Sequence, residues 1–363
     1  MRSLHVGSAM IDIISIIEAE NIERMTFSND TRAFLMLEAG RKVPAQSITT
    51  HVGGGACNTA VALARRGWDA GVIVRVGRDL NAGAVREHLD REAVSRDWLV
   101  ETDQAATGTA VMVASHDRNA SIFVHRGANE GIGMECLPDA AFAGRDLVYI
   151  AALSSHSADA FGTIAAKGRA AGAMVAANPG IRQLTLRTEA VLQALGDIDL
   201  ISINRVEAEA LVPVMAARTS GAIASAIADA PDEAPALWSQ GLTGGGVHLG
   251  LMRFLDGMRA AGPRYVVITD GTEGAWLAGP EGVIWHPSLP AKVAGTAGAG
   301  DAYCATLTAA LAEGAAPARA MHEAAINAAS VVSVVDTTAG LLDRAEIDRR
   351  ASAPSQAMLF QAA

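Results

Sequence analysis

The chain has 363 residues, half of them apolar and 19% charged, and this composition favours a large buried core over disorder. Acidic side chains outnumber basic ones by 39 to 29, and the net charge of -10 gives no general attraction to phosphate polymers or anionic lipid. We therefore expect neither nucleic-acid binding nor membrane binding.

The chain begins with a predicted strand in MRSLHVGSAMIDIISII, where Asp12 interrupts an apolar run that resembles a signal peptide. Strand-like and helix-like segments then alternate. Up to residue 126, the predicted elements are a helix over 56–66, a strand over 70–76, a helix over 80–93 and two hairpin strands over 109–115 and 120–126.

The second half continues the alternation. Its predicted strands are 146–153, 173–178 and 198–204, and its predicted helices include 157–171, 205–216 and 247–261. Continuous apolar strands separated by helices indicate a mostly parallel sheet covered by helices on both faces, which is a doubly wound α/β fold. Residues 15–51 and 107–126 depart from this pattern and predict a small second sheet. Residues 218–246 are rich in Ala, Gly and Pro and predict a surface insertion.

The segment GTAGAGD, residues 295–301, places three glycines and Asp301 before a strongly helical run. Unpaired amides at a helix entrance, around Ala299 and Gly300, can hold a phosphate, and Gly298 and Gly300 allow it to come close. Asp301 would then deprotonate a hydroxyl that attacks the phosphorus. Alternatively, the glycines only form a turn and Asp301 favours the helix dipole. The segment alone does not decide between the two.

The segment HVGGGACNT, which starts at residue 51, also precedes a helix with three glycines. Asn58 lies in the first turns of that helix, and Asp12 is expected nearby. Asp and Asn together offer the donors and acceptors that suit vicinal sugar hydroxyls. The segment is not a dinucleotide fingerprint, because that pattern requires glycine where Asn58 stands. A structural role for Asn58 within the loop stays open.

The segment INRVE, residues 203–207, follows a buried strand. Asn204 and Glu207 form an N-cap and capping-box pattern, which is a structural role. At the carboxyl end of a central strand, Glu207 can also hold waters around Mg²⁺. The two roles are compatible.

In series, these motifs resemble the ribokinase-like (PfkB-type) carbohydrate kinase family. GGGACN (53–58) is similar to the family's first signature and GAGD (298–301) to the centre of its second. Between them, VGRD, TGTA, RGAN, ANPG, the N-x-x-E of 204–207 and VVITDGTEGA follow the family's order. The resemblance covers nearly the whole chain and implies one domain, with a three-layer αβα body and a small β lid formed by about 15–51 and 107–126. It also implies ATP, Mg²⁺ and transfer of the γ-phosphoryl group to a hydroxymethyl group of a sugar or ribonucleoside.

The resemblance further implies a role for individual residues. Asp301 would be the base, and the amides of Gly298, Ala299 and Gly300 would form the anion hole with it. The residues expected to contact sugar hydroxyls are Asp12, Gly54, Gly55, Asn58 and Asn129. The residues expected around the nucleotide and Mg²⁺ are Asn204, Glu207, Thr269, Gly271 and Asn327. For Asn327, a polar side chain that faces the backbone of its own helix is a structural alternative.

The chain also departs from the family's pattern. Gly295 stands where the second signature usually begins with Asp, and the missing carboxylate argues against activation by potassium. The strand ending in LVYIAALSS lacks the Glu by which ribose-specific members bind their sugar, so ribose itself is not favoured.

Three further expectations concern the whole protein. The open edges of a small lid sheet favour a homodimer that pairs two lids. Cys57, Cys136 and Cys304 are widely spaced without a C-x-x-C pattern, which favours a reducing, cytoplasmic compartment. The alternative function is a non-catalytic protein that senses a sugar or nucleotide on a kinase-like fold.

Overall fold

The structure is a computed structural model that describes residues 1–18, 23–26, 33–36, 40, 42–115, 120–219 and 234–360. The strands are β1 (Arg2–Val6), β2 (Met10–Ile17), β3 (Glu23–Thr26), β4 (Ala33–Met36), β5 (Ala45–Gly53), β6 (Asp69–Ile73), β7 (Arg75–Gly77), β8 (Val100–Thr102), β9 (Gly108–Ser115), β10 (Ala120–His125), β11 (Leu147–Ile150), β12 (Met174–Ala177), β13 (Leu200–Asn204), β14 (Leu242–Gly244), β15 (Val247–Leu249), β16 (Tyr265–Thr269), β17 (Ala275–Gly279), β18 (Gly282–His286) and β19 (Met358–Phe360). The helices are α1 (Gly55–Arg65), α2 (Leu80–Arg91), α3 (Asp139–Phe142), α4 (Phe161–Ala170), α5 (Ile181–Leu186), α6 (Thr188–Ala194), α7 (Arg205–Thr219), α8 (Ala236–Gln240), α9 (Leu251–Ala260), α10 (Ala299–Ala312), α11 (Pro317–Val331) and α12 (Arg344–Arg350).

The large sheet has the strand order β19-β18-β17-β16-β13-β12-β11-β1-β6. Strands from β6 to β16 in this order run parallel, whereas β17, β18 and β19 add an antiparallel edge. All four residues of β11 are buried, as expected of a parallel strand that is covered on both faces. The predicted α/β fold with a mostly parallel central sheet is confirmed.

Two apolar clusters form the core, one on each face of this sheet. Ile201 of β13 belongs to the cluster that contains Leu211 of α7 and Phe254 of α9. The preceding residue, Leu200, belongs to the other cluster, with Leu63 of α1 and Leu307 of α10. Adjacent residues of a strand face opposite sides, so β13 is packed between two helical layers. Burying each such side chain contributes roughly 1.5–3 kcal/mol, which is why these apolar runs adopt central strands.

The second sheet has the order β10-β9-β2-β5, and we refer to it as the lid. β2 pairs with β5 antiparallel and with β9 parallel, so Asp12 lies directly across from His51. Because β1 belongs to the large sheet and β2 to the lid, the prediction of one N-terminal strand is wrong. Residues 19–22, 27–32, 37–39, 41 and 116–119 of the predicted lid lie outside the described residues.

The VGRD, TGTA and RGAN motifs form the passage from the body to the lid. Asp79 accepts hydrogen bonds from Thr107 N (2.8 Å) and Thr107 Oγ1 (2.7 Å), and it caps α2 through Ala82 N (2.9 Å). Gly127 has a left-handed φ of 52°, and a Cβ there would lie 2.1 Å from the Ala106 carbonyl oxygen. These contacts fix the point at which β9 leaves the body.

The region predicted as a surface insertion is partly built into the body. Residues 220–233 lie outside the described residues, but α8 follows them and packs against α9, and the β14–β15 hairpin packs against α7. A Cβ on Gly244 would lie 1.8 Å from the Glu209 carbonyl oxygen of α7. The hairpin turns at Gly245 and Gly246, which have φ of 56° and 76°, as two-residue hairpin loops require. Residues 247–249 are therefore a strand, and the predicted helix over 247–261 begins only at Leu251.

Aromatic rings close the antiparallel edge of the large sheet. Trp276 stacks on Trp238 at 5.7 Å between ring centroids and packs on Phe360 at 5.2 Å. Trp285 of β18 donates a hydrogen bond from Nε1 to the carbonyl oxygen of Glu273 (2.9 Å), in the short turn Gly271–Glu273 after β16.

Within the part of the chain that the structure describes, no helix has the length and apolar character needed to cross a bilayer.

Candidate active site

At the entrance of α10, several amides have no acceptor among the described residues. Gly298 is the N-cap, with a left-handed φ of 80°, and a Cβ there would lie 2.8 Å from the Thr337 carbonyl oxygen. The N–H groups of Gly298, Gly300 and Asp301 have no such acceptor, while Ala299 N makes only a long contact to Thr296 O (3.4 Å). A Cβ on Gly300 would meet no atom within 4 Å. The free amides therefore border open space, as an anion site requires.

Asp301 and Asn58 are brought together from opposite ends of the sequence. Asn58 Nδ2 donates a hydrogen bond to Asp301 Oδ2 at 2.8 Å. Asn58 is only 4% exposed, and its Oδ1 accepts a hydrogen bond from Thr337 Oγ1 at 3.1 Å. The first turn of α1 therefore meets the first turn of α10, and the two glycine-rich segments form one site.

Asp12 faces the same site from the lid. A Cβ on Gly53 would lie 2.0 Å from Asp12 Oδ2, so the carboxylate rests against the backbone just before α1. Burial raises the pKa of Asp12 to about 6, with His51 lowering it and the charges of Asp301 and Asp336 raising it further. Burial likewise raises the pKa of Asp301 to about 6, against the hydrogen bond from Asn58. Two carboxylates poised near neutrality are characteristic of a reaction centre.

Gly54 and Gly55 allow the backbone to approach this centre. Gly54 has φ of 100°, and a Cβ there would lie 2.5 Å from the Ser8 carbonyl oxygen. A Cβ on Gly55 would lie 2.8 Å from the Ala151 Cβ and 3.8 Å from Asp301 Oδ1. Larger residues would therefore push α1 away from Asp301.

A second cleft, of about 300 Å³, opens at the carboxyl ends of β13 and β16. The predicted residues Asn204, Glu207, Thr269 and Gly271 all line it. Asn204 Oδ1 accepts from Glu207 N (2.9 Å), and Glu207 Oε2 accepts from Asn204 N (2.8 Å). This reciprocal pair is the predicted capping box. Burial raises the pKa of Glu207, which disfavours its charge until a cation lies nearby.

Mg²⁺ fits this cleft only together with other ligands. Among the residues described, no cluster of three or more His, Cys, Asp or Glu side chains forms a complete metal cage. Mg²⁺ is commonly held by one or two carboxylates, several waters and substrate phosphates. Glu207, with Asp270 beside it in the cleft, matches that partial set.

The two halves of the site are joined through the body. Ser202, two residues before Asn204, lies 2.8 Å from Cys304, one turn after Asp301, measured between Oγ and Sγ. Both side chains are buried. The carboxyl end of β13 is therefore fixed directly against α10.

Asn129 and Asn327 make contacts within the fold. Asn129 Oδ1 accepts from Ala9 N, and its Nδ2 donates to Ala9 O, both at 2.9 Å. Asn327, 1% exposed, donates to Thr306 Oγ1 (2.8 Å) and accepts from Leu342 N (2.9 Å). Asn129 thereby positions the passage between β1 and β2. The partners of Asn327 belong to α10 and to the segment before α12, so the prediction that it faces the backbone of its own helix is wrong. Ligand contact by either residue stays a prediction.

The loop 336–339 borders the site, although no sequence pattern predicted it. Asp336 Oδ2 lies 2.6 Å from His51 Nδ1, which joins this loop to the lid. Thr337, the next residue, contacts both Asn58 and Gly298. The segment VDTTAG has no periodic pattern and no glycine cluster of the kind that marked the other segments, so only its small polar composition distinguishes it.

Comparisons with known proteins show the family of the chain. The family model described as "pfkB family carbohydrate kinase" matches residues 7–344. An ATP-dependent ribose-1-phosphate kinase from Halopiger xanaduensis is 27% identical over 253 residues, which cover 70% of this chain and 71% of the relative.

Solved structures share the fold. Arabidopsis thaliana ribokinase, complexed with ribose and ATP, superposes with a TM-score of 0.70 at 21% identity, covering 97% of this chain and 99% of the other. The nucleoside kinase of Methanocaldococcus jannaschii also has a TM-score of 0.70, at 18% identity, covering 97% and 98%. At these identities, the likeness establishes the ribokinase-like fold and leaves the substrate open.

Proposed function

Because the chain belongs to the pfkB family of carbohydrate kinases, which are phosphotransferases with alcohol acceptors, we propose that it transfers the γ-phosphoryl group of ATP to a sugar or ribonucleoside. The acceptor atom would be a hydroxyl oxygen, with a hydroxymethyl group favoured. One observation supports this most strongly: Asp301, held by Asn58, lies at the entrance of α10, where the amides of Gly298, Gly300 and Asp301 itself have no acceptor among the described residues. The proposed base and the proposed anion site are therefore adjacent.

The chemistry follows from these groups. The acceptor oxygen attacks the γ-phosphorus, its proton passes to the Asp301 carboxylate, and the bond from phosphorus to the bridging oxygen breaks to release ADP. The amides of Gly300 and Asp301 stabilise charge that grows on the phosphoryl oxygens. A carboxyl pKa of about 6 leaves Asp301 ionised at neutral pH and still basic enough to take the proton.

The acceptor would lie between the lid and α1. Asp12 and Asn58 would bind its hydroxyls, while Gly54 and Gly55 leave room for it near Asp301. Closure of the lid would exclude water that otherwise hydrolyses ATP.

The nucleotide would occupy the cleft of Asn204, Glu207, Thr269 and Gly271. Glu207 would hold Mg²⁺ through water, and the bound ion would neutralise charge on the phosphates. The proposal includes no monovalent cation, because Gly295 supplies no carboxylate. The Gly295 amide instead donates a hydrogen bond to the Val332 carbonyl oxygen (3.2 Å), which joins the segment before α10 to the end of α11.

The proposed assembly is a cytoplasmic homodimer that pairs two lids. Ile48 on one edge strand of the lid is 66% exposed, and Phe123 on the opposite edge strand is 62% exposed. An edge strand also presents unpaired backbone N–H and C=O groups, which pairing with a second lid would satisfy.

A substrate panel tests the proposal. ADP formation would be measured with ATP, Mg²⁺ and, in turn, D-ribose, D-fructose, ribose 1-phosphate, adenosine and inosine. We expect at least one acceptor to raise ADP formation far above the rate without acceptor, and mass spectrometry to find one added phosphate on it. Binding of ATP and an acceptor without turnover would instead support the alternative of a non-catalytic sensor. A protein that only binds its ligands does not require Asp301 as a base, which argues against that alternative.

A further inference from the structure

The loop 336–339 is held in one conformation by Asp336. One carboxylate oxygen accepts hydrogen bonds from Thr338 N (2.6 Å), Thr338 Oγ1 (3.0 Å) and Ala339 N (2.8 Å), and the other contacts His51 of the lid. Thr337 is 4% exposed, and its carbonyl oxygen packs against Gly298 at the entrance of α10. The loop therefore touches the lid, α1 and α10 at once.

The hydroxyl of Thr337 decides which way the Asn58 amide faces. An ionised carboxylate only accepts hydrogen bonds, so Asn58 must present its NH₂ group to Asp301. Its oxygen then faces the opposite direction in a buried position and requires a donor. Thr337 Oγ1 supplies that donor at 3.1 Å. Without it, Asn58 either keeps a buried oxygen unsatisfied or turns its oxygen toward Asp301, and either arrangement costs about 1–3 kcal/mol.

We infer that Thr337 is a positioning residue for phosphoryl transfer: its hydroxyl fixes the Asn58 amide, which in turn holds the Asp301 carboxylate ionised and in place. This inference rests on the proposed function, because it assigns a role in the same reaction. It adds a residue outside both glycine-rich segments, and it explains why a buried threonine contacts the first turns of α1 and α10 together.

The pH dependence of turnover should report this role. Asp301 is faced by Asp12 from β2, Tyr149 from β11 and Cys304 from its own helix, with His51 and Asp336 beyond Asp12. Burial raises the pKa of Tyr149 well above its usual value and that of Cys304 to about 12, so both stay neutral near pH 6. Asp12 titrates in the same range as Asp301. Loss of the Asn58 hydrogen bond should raise the pKa of Asp301.

Thr337→Val and Thr337→Ser form the test pair, because valine keeps the shape and serine keeps the hydroxyl. With ATP and the best acceptor of the panel, we expect T337V to lower kcat about tenfold and to move the acidic limb of kcat up by about half to one pH unit. T337S should stay within about twofold of the wild type. The shift of the acidic limb in T337V should persist in an Asp12→Asn background, which removes the titration of Asp12.

A double-mutant cycle with Asn58→Ala separates positioning from a general structural effect. If Thr337 acts through Asn58, T337V should lower kcat little further once Asn58 is gone. Equal losses in both backgrounds, or a T337V enzyme with wild-type turnover and pH profile, would overturn the inference. Should the valine variant fail to fold, Thr337→Ala takes its place in the cycle. A wild-type enzyme that phosphorylates no acceptor would contradict the proposed function instead.

Discussion

At the level of single residues, Asp301 is held where its own charge is disfavoured. Burial raises its pKa to about 6 from an ordinary 3.8, so the folded state prefers the neutral carboxyl. The stabilising effect of the neutral form is present in full below about pH 4 and is lost as pH rises through 6. At pH 8 the ionised carboxylate therefore destabilises the free protein, which is the usual consequence of building a base into a closed site.

Asp301→Asn should accordingly separate activity from stability. We expect kcat to fall by about two orders of magnitude or more, because a positioned base is lost. The melting temperature at pH 8 should rise, and this gain should shrink toward pH 5, where the wild-type carboxyl is already protonated. Calorimetry at both pH values and the ADP assay measure these effects.

The matched control is Asp139→Asn, which neutralises an exposed carboxylate paired with Lys167. It should change neither kcat nor the melting temperature appreciably. Wild-type turnover in D301N would remove Asp301 from the mechanism. A lower melting temperature at pH 8 would mean that its charge is better compensated than its surroundings indicate.

At the level of elements, the two glycines at the entrance of α10, Gly298 and Gly300, have different surroundings. Gly298 adopts a left-handed conformation against Thr337, whereas Gly300 is helical and faces open space. Glycine at a helical position destabilises by roughly 0.5–1 kcal/mol relative to alanine. A chain that keeps glycine at 300 therefore gives up helix stability for room above the amides.

Gly300→Ala should show this directly. The variant should melt at the same or a slightly higher temperature, yet lose about tenfold or more in kcat/KM for ATP, because the new methyl group occupies the space above the unpaired amides. Gly83→Ala is the control: its Cβ on α2 would meet only Arg86, at 3.9 Å, so it should add similar stability and leave activity unchanged. Full activity in G300A would argue against an anion site at this entrance.

The capping box of α7 makes a second element-scale prediction. Asn204→Ala should lower stability by about 1 kcal/mol, because Glu207 N loses its acceptor. Since both residues line the cleft, the KM for MgATP should rise as well. Asp343→Ala removes the corresponding cap of α12, where Asp343 accepts from Glu346 N, and should cost similar stability without changing KM. Equal KM values in the two variants would restrict Asn204 to its structural role.

At the level of the whole molecule, features that follow a sequence pattern are predicted from the sequence. Features that depend on contacts between distant residues are not. The apolar runs of β11 and β13 and the glycines before α1 and α10 follow patterns with a direct physical cause, and the site assembles around them. The split between β1 and β2 escapes prediction because the apolar character continues across Gly7 into a different sheet. Thr337 escapes because its role depends on a contact 279 positions away in the chain, with Asn58.

The lid sets the expected assembly. Phe123→Asp places a charge on an exposed edge strand of the lid and should convert a dimer into a monomer in light-scattering chromatography, because burying an unpaired charge is costly. Leu186→Asp is the control, since Leu186 is 62% exposed on α5, which packs on α6 and α7 of the body. A wild-type monomer at micromolar concentration would contradict the proposed dimer, and a dimer that persists in F123D would place the interface elsewhere.

The hydrogen bond from Trp285 to the Gly271–Glu273 turn has a practical consequence. The indole of this residue is anchored to a turn whose first residue, Gly271, lines the proposed nucleotide cleft, and it lies among the rings that close the edge of the large sheet. A ligand that contacts this turn would alter the polarity around the indole, so its intrinsic fluorescence would serve as a label-free readout of ligand binding. Affinities could then be titrated in variants that no longer turn over.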